Sequence, residues 1–183
     1  MASLGHIAVG MAAARVDEPG RPGRPAPIPA MLFWAALSFL PDADVVGFSF
    51  GVRYADAWGH RGATHSLCVA LALGTIVGCL APLARRPALR TGVTATLVLA
   101  SHGLLDTLTD GGLGCALFWP FDQTRYFAPW RPLPVSPIGF GYLSPYGLLV
   151  AATELVVFSP LIWFALRSRR TGVERTHGRT PTG

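Results

Sequence analysis

Two stretches of this chain run without charge for longer than a soluble fold tolerates. Ser66–Ala84 is 19 residues with no formal charge, and Leu143–Leu166 is 24 residues with Glu154 alone. A helix needs about 20 predominantly apolar residues to cross a bilayer, so both read as spanning helices. Thr91–Leu105 adds 15 residues whose one titratable group is His102, long enough to span if it runs on to Leu108. Pro25–Pro41 adds 17 uncharged residues rich in Ala, Leu, Phe and Trp. Ala2–Val16 is apolar, carries His6 and reads as a half-length or tilted helix. No basic region precedes it, which argues against a signal peptide. The expected architecture is all-α: a multi-pass membrane bundle of about five helices, one of them short, filling residues 1–167. Charged residues make up 14% of the chain, against about 25% in soluble domains, which argues against a soluble enzyme. Cys68, Cys79 and Cys115 lack CxxC spacing and fit neither a disulfide framework nor a thiolate zinc site.

The basic residues set an orientation. All 15 are Arg: three in Arg15–Arg24, three in Arg85–Arg90, five in the tail from Arg167, and then Arg53, Arg61, Arg125 and Arg131. Alternating spans place the first eleven on one side and the last four on the other. The positive-inside rule makes the first side cytoplasmic. The N-terminus is then expected outside and the C-terminus inside, with the loops Asp42–Ala63 and Thr109–Tyr142 facing outward. Residues 168–183 read as a disordered, basic cytoplasmic tail. The aromatic residues of the second loop, among them Phe118, Trp119, Phe121, Tyr126, Phe127, Trp130 and Phe140, fit an interfacial belt or a lipid-facing lip over a site.

In a chain with so few charges each ionisable residue is informative, because such groups are costly inside a membrane. His6, Asp42, Asp44, His60, His65, His102, Asp106 and Asp110 all fall near the outer ends of helices or in the outer loops. Taken alone, each has a simpler reading: His6 as an interfacial residue, Asp42 and Asp44 as turn residues after Pro41, His60 as a surface group, and His102 with Asp106 as a satisfied pair. Together, four of the five His beside several Asp on one face are not explained by packing. His102 and Asp106 are four residues apart and share a helix face. Thr64 is placed to cap the helix that follows His65. Thr107, Thr109 and Asp110 are placed to hydrogen-bond a ligand set from behind. Glu154, in mid-span, either pairs with another buried polar group or helps a proton move. Imidazole with carboxylate suits zinc, and also iron or manganese. Six or seven such groups exceed the needs of one zinc, so the count favours two or more metals, or one metal plus a His or Asp acting as general acid–base. Arg61, Arg125 and Arg131 lie on the same side, where guanidinium binds phosphate or lipid headgroups.

The segments GHIAVG (Gly5–Gly10), LPDAD (Leu40–Asp44), HRGATHSL (His60–Leu67), SHGLLDTLTDGG (Ser101–Gly112) and WPF (Trp119–Phe121) occur in that order. Together they resemble the YdjM family of inner-membrane metal-dependent hydrolases, over roughly residues 3–145. That family is distantly similar to zinc-dependent phospholipase C and the S1/P1 nucleases, all-helical enzymes that cleave phosphoesters with a His/Asp cluster holding up to three zinc ions. The resemblance implies a phospholipase C/P1 nuclease-like bundle with His6, Asp42, His60, His65, His102 and Asp106 as the ligand or catalytic set. The soluble enzymes add an N-terminal Trp ligand, for which this sequence, opening on Met1, has no counterpart.

The combined expectation is a membrane-bound, metal-dependent hydrolase of a lipid or lipid-linked phosphoester at the outer face of the inner membrane. His6, Asp42, His65, His102 and Asp106 are its expected metal ligands, zinc above all. His60, Asp44 and Arg61 are its expected catalytic residues, with Arg125 and Arg131 on the substrate. The alternative is a metal or proton transporter using the same cluster, and a purely structural metal is a third reading. Nucleic acid is not expected, since four loop Arg face six Asp and leave no basic track.

Overall fold

A computed structural model describes residues 3–18, 24–137 and 139–167. Arg21 and the tail from Ser168 lie outside the described residues. The fold is all-helical: α1 (Ser3–Asp17), α2 (Ile28–Ser38), α3 (Leu67–Leu80), α4 (Ala88–Thr107) and α5 (Pro145–Leu166), with short 3-10 segments between them. Among the described residues the extended backbone pairs only as isolated bridges, Thr109 with Leu133 and Cys115 with Tyr126.

Composition decides which helix is central. α1 carries Gly5, Ala8, Gly10 and Ala12–Ala14 among its 15 residues and packs against α2, α4 and α5. Small side chains let neighbouring backbones approach closely, which is how helices associate without a hydrophobic driving force in lipid. A Cβ on Gly10 would stand 2.5 Å from the Ala35 Cα. The same device joins α3 to α4, where a Cβ on Gly74 would fall among the atoms of Thr96 and one on Gly78 would stand 2.9 Å from the Gly92 Cα. The core beside these contacts holds Ala13, Ala14, Trp34, Leu37, Ala95, Val98 and Leu99.

The outer surfaces are the apolar ones. Ile76, Leu80, Leu89, Leu97, Leu149, Val156 and Trp163 are all exposed, as expected where hydrocarbon is the solvent. Two helices are long and apolar enough to cross a membrane, Leu67–Ala84 and Pro145–Leu166. α2 and the 3-10 run Leu40–Phe50 make a third candidate, bent by 50°. The bend follows from Pro41, which cannot continue an α-helical ladder. α4 has 20 residues, but Arg90, His102 and Asp106 lower its hydropathy. Pro29 in the first turn of α2 and the Ser144 cap of α5, which accepts from the Gly147 N–H at 3.1 Å, fix those helix starts.

α1 and α4 run antiparallel and are tied at both ends. At one end His6 meets Asp106. At the other, the buried Asp17 carboxylate accepts from Arg86 and from the Thr91 hydroxyl, each at 2.9 Å. Replacing Gly10 with Val is expected to cost about 1–3 kcal/mol by overpacking this central contact. The check is the Tm of the detergent-solubilised protein, and an unchanged Tm would contradict the close α1–α2 approach.

Candidate metal centre

The motif HRGATHS assigns a separate task to nearly every residue. The His60 Nδ1–H donates to Asp44 Oδ1 at 2.8 Å. Arg61, almost fully buried, places Nε 3.0 Å from Asp106 Oδ2 and donates to the Gly111 carbonyl and Thr109 Oγ1 at 2.8 and 3.0 Å. Its backbone is left-handed, with φ 65°. Such a conformation strains a non-glycine residue and persists only where surrounding contacts over-determine it. Gly62 allows a tight turn, since a Cβ there would stand 2.3 Å from the Ala57 carbonyl oxygen. The Thr64 hydroxyl donates to Asp44 Oδ2 at 2.7 Å. The expected cap falls two residues later: Ser66, not Thr64, accepts from the Val69 N–H at 3.1 Å to start α3.

Two tautomers follow from the partners. His102 Nδ1 lies 2.6 Å from the Ser38 carbonyl, which can only accept, so the proton is on Nδ1. His65 Nδ1 lies 3.0 Å from Thr64 Oγ1. The hydroxyl hydrogen of Thr64 is already committed to Asp44, so His65 Nδ1 is again the donor. Both imidazoles therefore turn Nε2 lone pairs inward, and these sit 3.2 Å apart. Asp42 Oδ1 lies 3.4 Å from His65 Nε2 and 3.3 Å from His102 Nε2. Both Asp42 oxygens are buried with no aligned hydrogen-bond donor among the described residues. Asp106 completes the group with Oδ2 at 3.7 Å from His65 Nε2. One ligand atom from each of Asp42, His65, His102 and Asp106 lies within 4.8 Å of the others.

This spacing fits a cation. Ligands about 2.1 Å from one tetrahedral ion stand about 3.4 Å from each other. Electron-pair donors facing one another without a proton between them repel, and a positive ion at their centre reverses that sign. Burial pushes the Cys115 thiol up to about 12 and keeps it protonated, and the candidate ligand groups contain His and Asp only.

The structure brings eight of the ten sequence-derived site residues together. Asp44, His60 and His65 form a second group adjoining the first. His6 lies outside both, beside them: its ring stacks on His102 at 3.7 Å, and its Nε2 is 3.4 Å from Asp106 Oδ1. Arg125 and Arg131 do not join the cluster. Arg125 donates to the carbonyls of His60, Tyr54 and Asp56 at 2.9–3.0 Å and so braces the loop. Arg131 is exposed, with its guanidinium 4.8 Å over the Phe127 ring. Of the expected supporting residues, Thr109 serves, donating to the Asp106 carbonyl at 2.8 Å while accepting from Arg61. Thr107 instead bonds the Leu104 carbonyl within its own helix, and Asp110 accepts from the Val135 N–H in the loop. Sequence reasoning missed Ser38, whose contribution is a backbone carbonyl and leaves no side-chain signal. It also missed Gly103, where a Cβ would stand 2.3 Å from the His65 carbonyl oxygen. That close approach lets His65 reach His102.

Arg61→Ala leaves the buried Asp106 carboxylate without its guanidinium, and is expected to cost about 3–5 kcal/mol of stability. Arg61→Lys should not restore it, because one ammonium cannot match three divergent acceptors. Thermal unfolding of both variants checks this, and a wild-type Tm in either contradicts it.

Comparison with known proteins gives the family of the chain. The family model for the YdjM inner membrane protein matches residues 1–173. The inner membrane protein YbcI of Escherichia coli (strain K12) is 42% identical over 137 residues, covering 70% of this chain and 77% of that protein. No solved structure matches the chain. With the family's model spanning nearly the whole sequence, the chain belongs to the YdjM inner membrane protein family.

Proposed function

We propose that this protein is a membrane-bound, metal-dependent hydrolase acting on a phosphoester of a lipid or lipid-linked substrate. The observation that carries the reading is the convergence of two imidazole Nε2 atoms on the buried carboxylate of Asp42, which has no aligned hydrogen-bond donor among the described residues, with Asp106 alongside. Asp42, His65, His102 and Asp106 hold one divalent cation, zinc by the mixture of nitrogen and oxygen donors. Such an ion supplies Lewis acidity to a phosphoryl oxygen and makes water a stronger nucleophile at neutral pH.

The chain's own residues do the rest. Asp44 orients His60 by accepting from its Nδ1, which leaves Nε2 as the site of proton transfer. Asp44 therefore serves as the orienting group and His60 as the base. Through Thr64, the same carboxylate keeps the His65 proton on Nδ1, as outer partners of metal ligands do. Arg61 offsets the charge of Asp106 inside the pocket, so the ion retains positive character toward an anionic substrate. Exposed Trp58, Phe118, Phe121 and Trp130 flank the loops that carry the cluster. They suit a site at headgroup depth, on the outward side that the Arg distribution assigns. Transport is the weaker reading, because α1 separates the cluster from the Asp17 end with Ala8, Gly10 and Ala12–Ala14.

Elemental analysis of the detergent-purified protein should find about one zinc per chain, lost in His65→Ala and in His102→Ala. His60→Ala should keep the ion and lose about 100-fold or more in hydrolysis of a phospholipid or lipid phosphate. A wild type purified without chelator and free of metal, or a fully active His65→Ala, would overturn the proposal.

A further inference from the structure

We infer that Glu154 is the N-terminal cap of α1 and, through it, the positioning residue for His6; the second part rests on the reading of the metal centre given above. Glu154 is fully buried in α5, in the middle of an otherwise uncharged stretch. An ionisable group there is costly and calls for a partner. The partner is 150 residues away in sequence: the Leu4 N–H donates to Glu154 Oε2 at 2.5 Å. The amides of Ser3 and Gly5 face the same carboxyl. These are first-turn amides, which an α-helix leaves without an intrahelical acceptor, and a carboxyl placed there also meets the positive end of the helix dipole.

One turn further along α5, Phe158 closes on the same place. A Cβ on Gly5 would stand 2.6 Å from its ring. α5 thus holds the first turn of α1 at two adjacent points. From the other side, the Ser38 hydroxyl donates to the His6 carbonyl at 2.8 Å. His6 belongs to this clamped turn, and its ring lies flat on His102, 12° from parallel, and against Asp106. Two of the four proposed ligands are therefore packed against a side chain whose backbone Glu154 fixes. Glu154 touches neither ligand, and its effect on them passes through α1.

The experiment uses the full chain in detergent or nanodiscs and compares wild type with Glu154→Leu, Glu154→Gln, His6→Ala and the double variant Glu154→Leu/His6→Ala. Hydrogen exchange over the first turn of α1 reads the cap, and zinc affinity by chelator competition reads the consequence. Glu154→Leu should exchange about tenfold faster in that turn, as loss of a cap implies. It should bind zinc about 10–100-fold more weakly, as loss of an outer support does. Glu154→Gln keeps an oxygen acceptor and should recover most of both. The double variant should bind no more weakly than His6→Ala alone. Unchanged exchange in Glu154→Leu overturns the cap, whatever zinc does. Unchanged affinity, or losses that multiply in the double variant, overturn the link to His6. If the wild type binds no zinc, the reading of the centre fails instead. Exchange still decides the cap, and histidine NMR signals decide the link: a His6 resonance unmoved in Glu154→Leu overturns it.

Discussion

Three carboxylates and four imidazoles share one end of a bundle whose outer surfaces are apolar, and the cost of burying them governs the rest of the design. Each group alone would be unfavourable in hydrocarbon. Arg61 answers Asp106, Asp44 accepts from the Nδ1–H of His60, Thr64 links Asp44 to His65, and the Ser38 carbonyl accepts from the Nδ1–H of His102. After these pairings an uncompensated centre remains: two inward lone pairs and the oxygens of Asp42. This arrangement could hold a cation, and the outer hydrogen bonds orient the imidazoles around it.

Helix packing serves that centre. The cluster draws on four separate parts of the chain, so backbones must approach more closely than ordinary side chains allow. Gly10 brings α1 to α2, Gly74 and Gly78 bring α3 to α4, and Gly103 admits the loop carrying His65. Pro41 turns the chain so that Asp42 points back into the bundle. At the far end, Asp17 with Arg86 and Thr91 anchors α1 to α4 a second time. α1 is thereby held at both ends, and the position of His6 is set by the whole bundle.

Much of this was legible in the sequence, for physical reasons that differ by residue. Uncharged runs of membrane length announced α3 and α5, and the four-residue spacing of His102 and Asp106 put both on one helix face. The scarcity of ionisable groups made their clustering conspicuous. Roles depending on backbone were not legible: the Ser38 carbonyl, the left-handed turn at Arg61, and the choice of Ser66 over Thr64 as cap. Arg125 looked like a substrate ligand from its side of the membrane, but its donors meet three loop carbonyls. Glu154 stood out by its position, while its partner, the start of α1, lies at the opposite end of the chain and is identified only by the fold.

The most direct test of the central claim is X-ray absorption spectroscopy at the metal edge of the purified protein. A zinc ion held by Asp42, His65, His102 and Asp106 gives nitrogen and oxygen neighbours near 2.0–2.2 Å, with outer-shell scattering from two imidazoles. A shell containing sulfur, or one without imidazole, would contradict it.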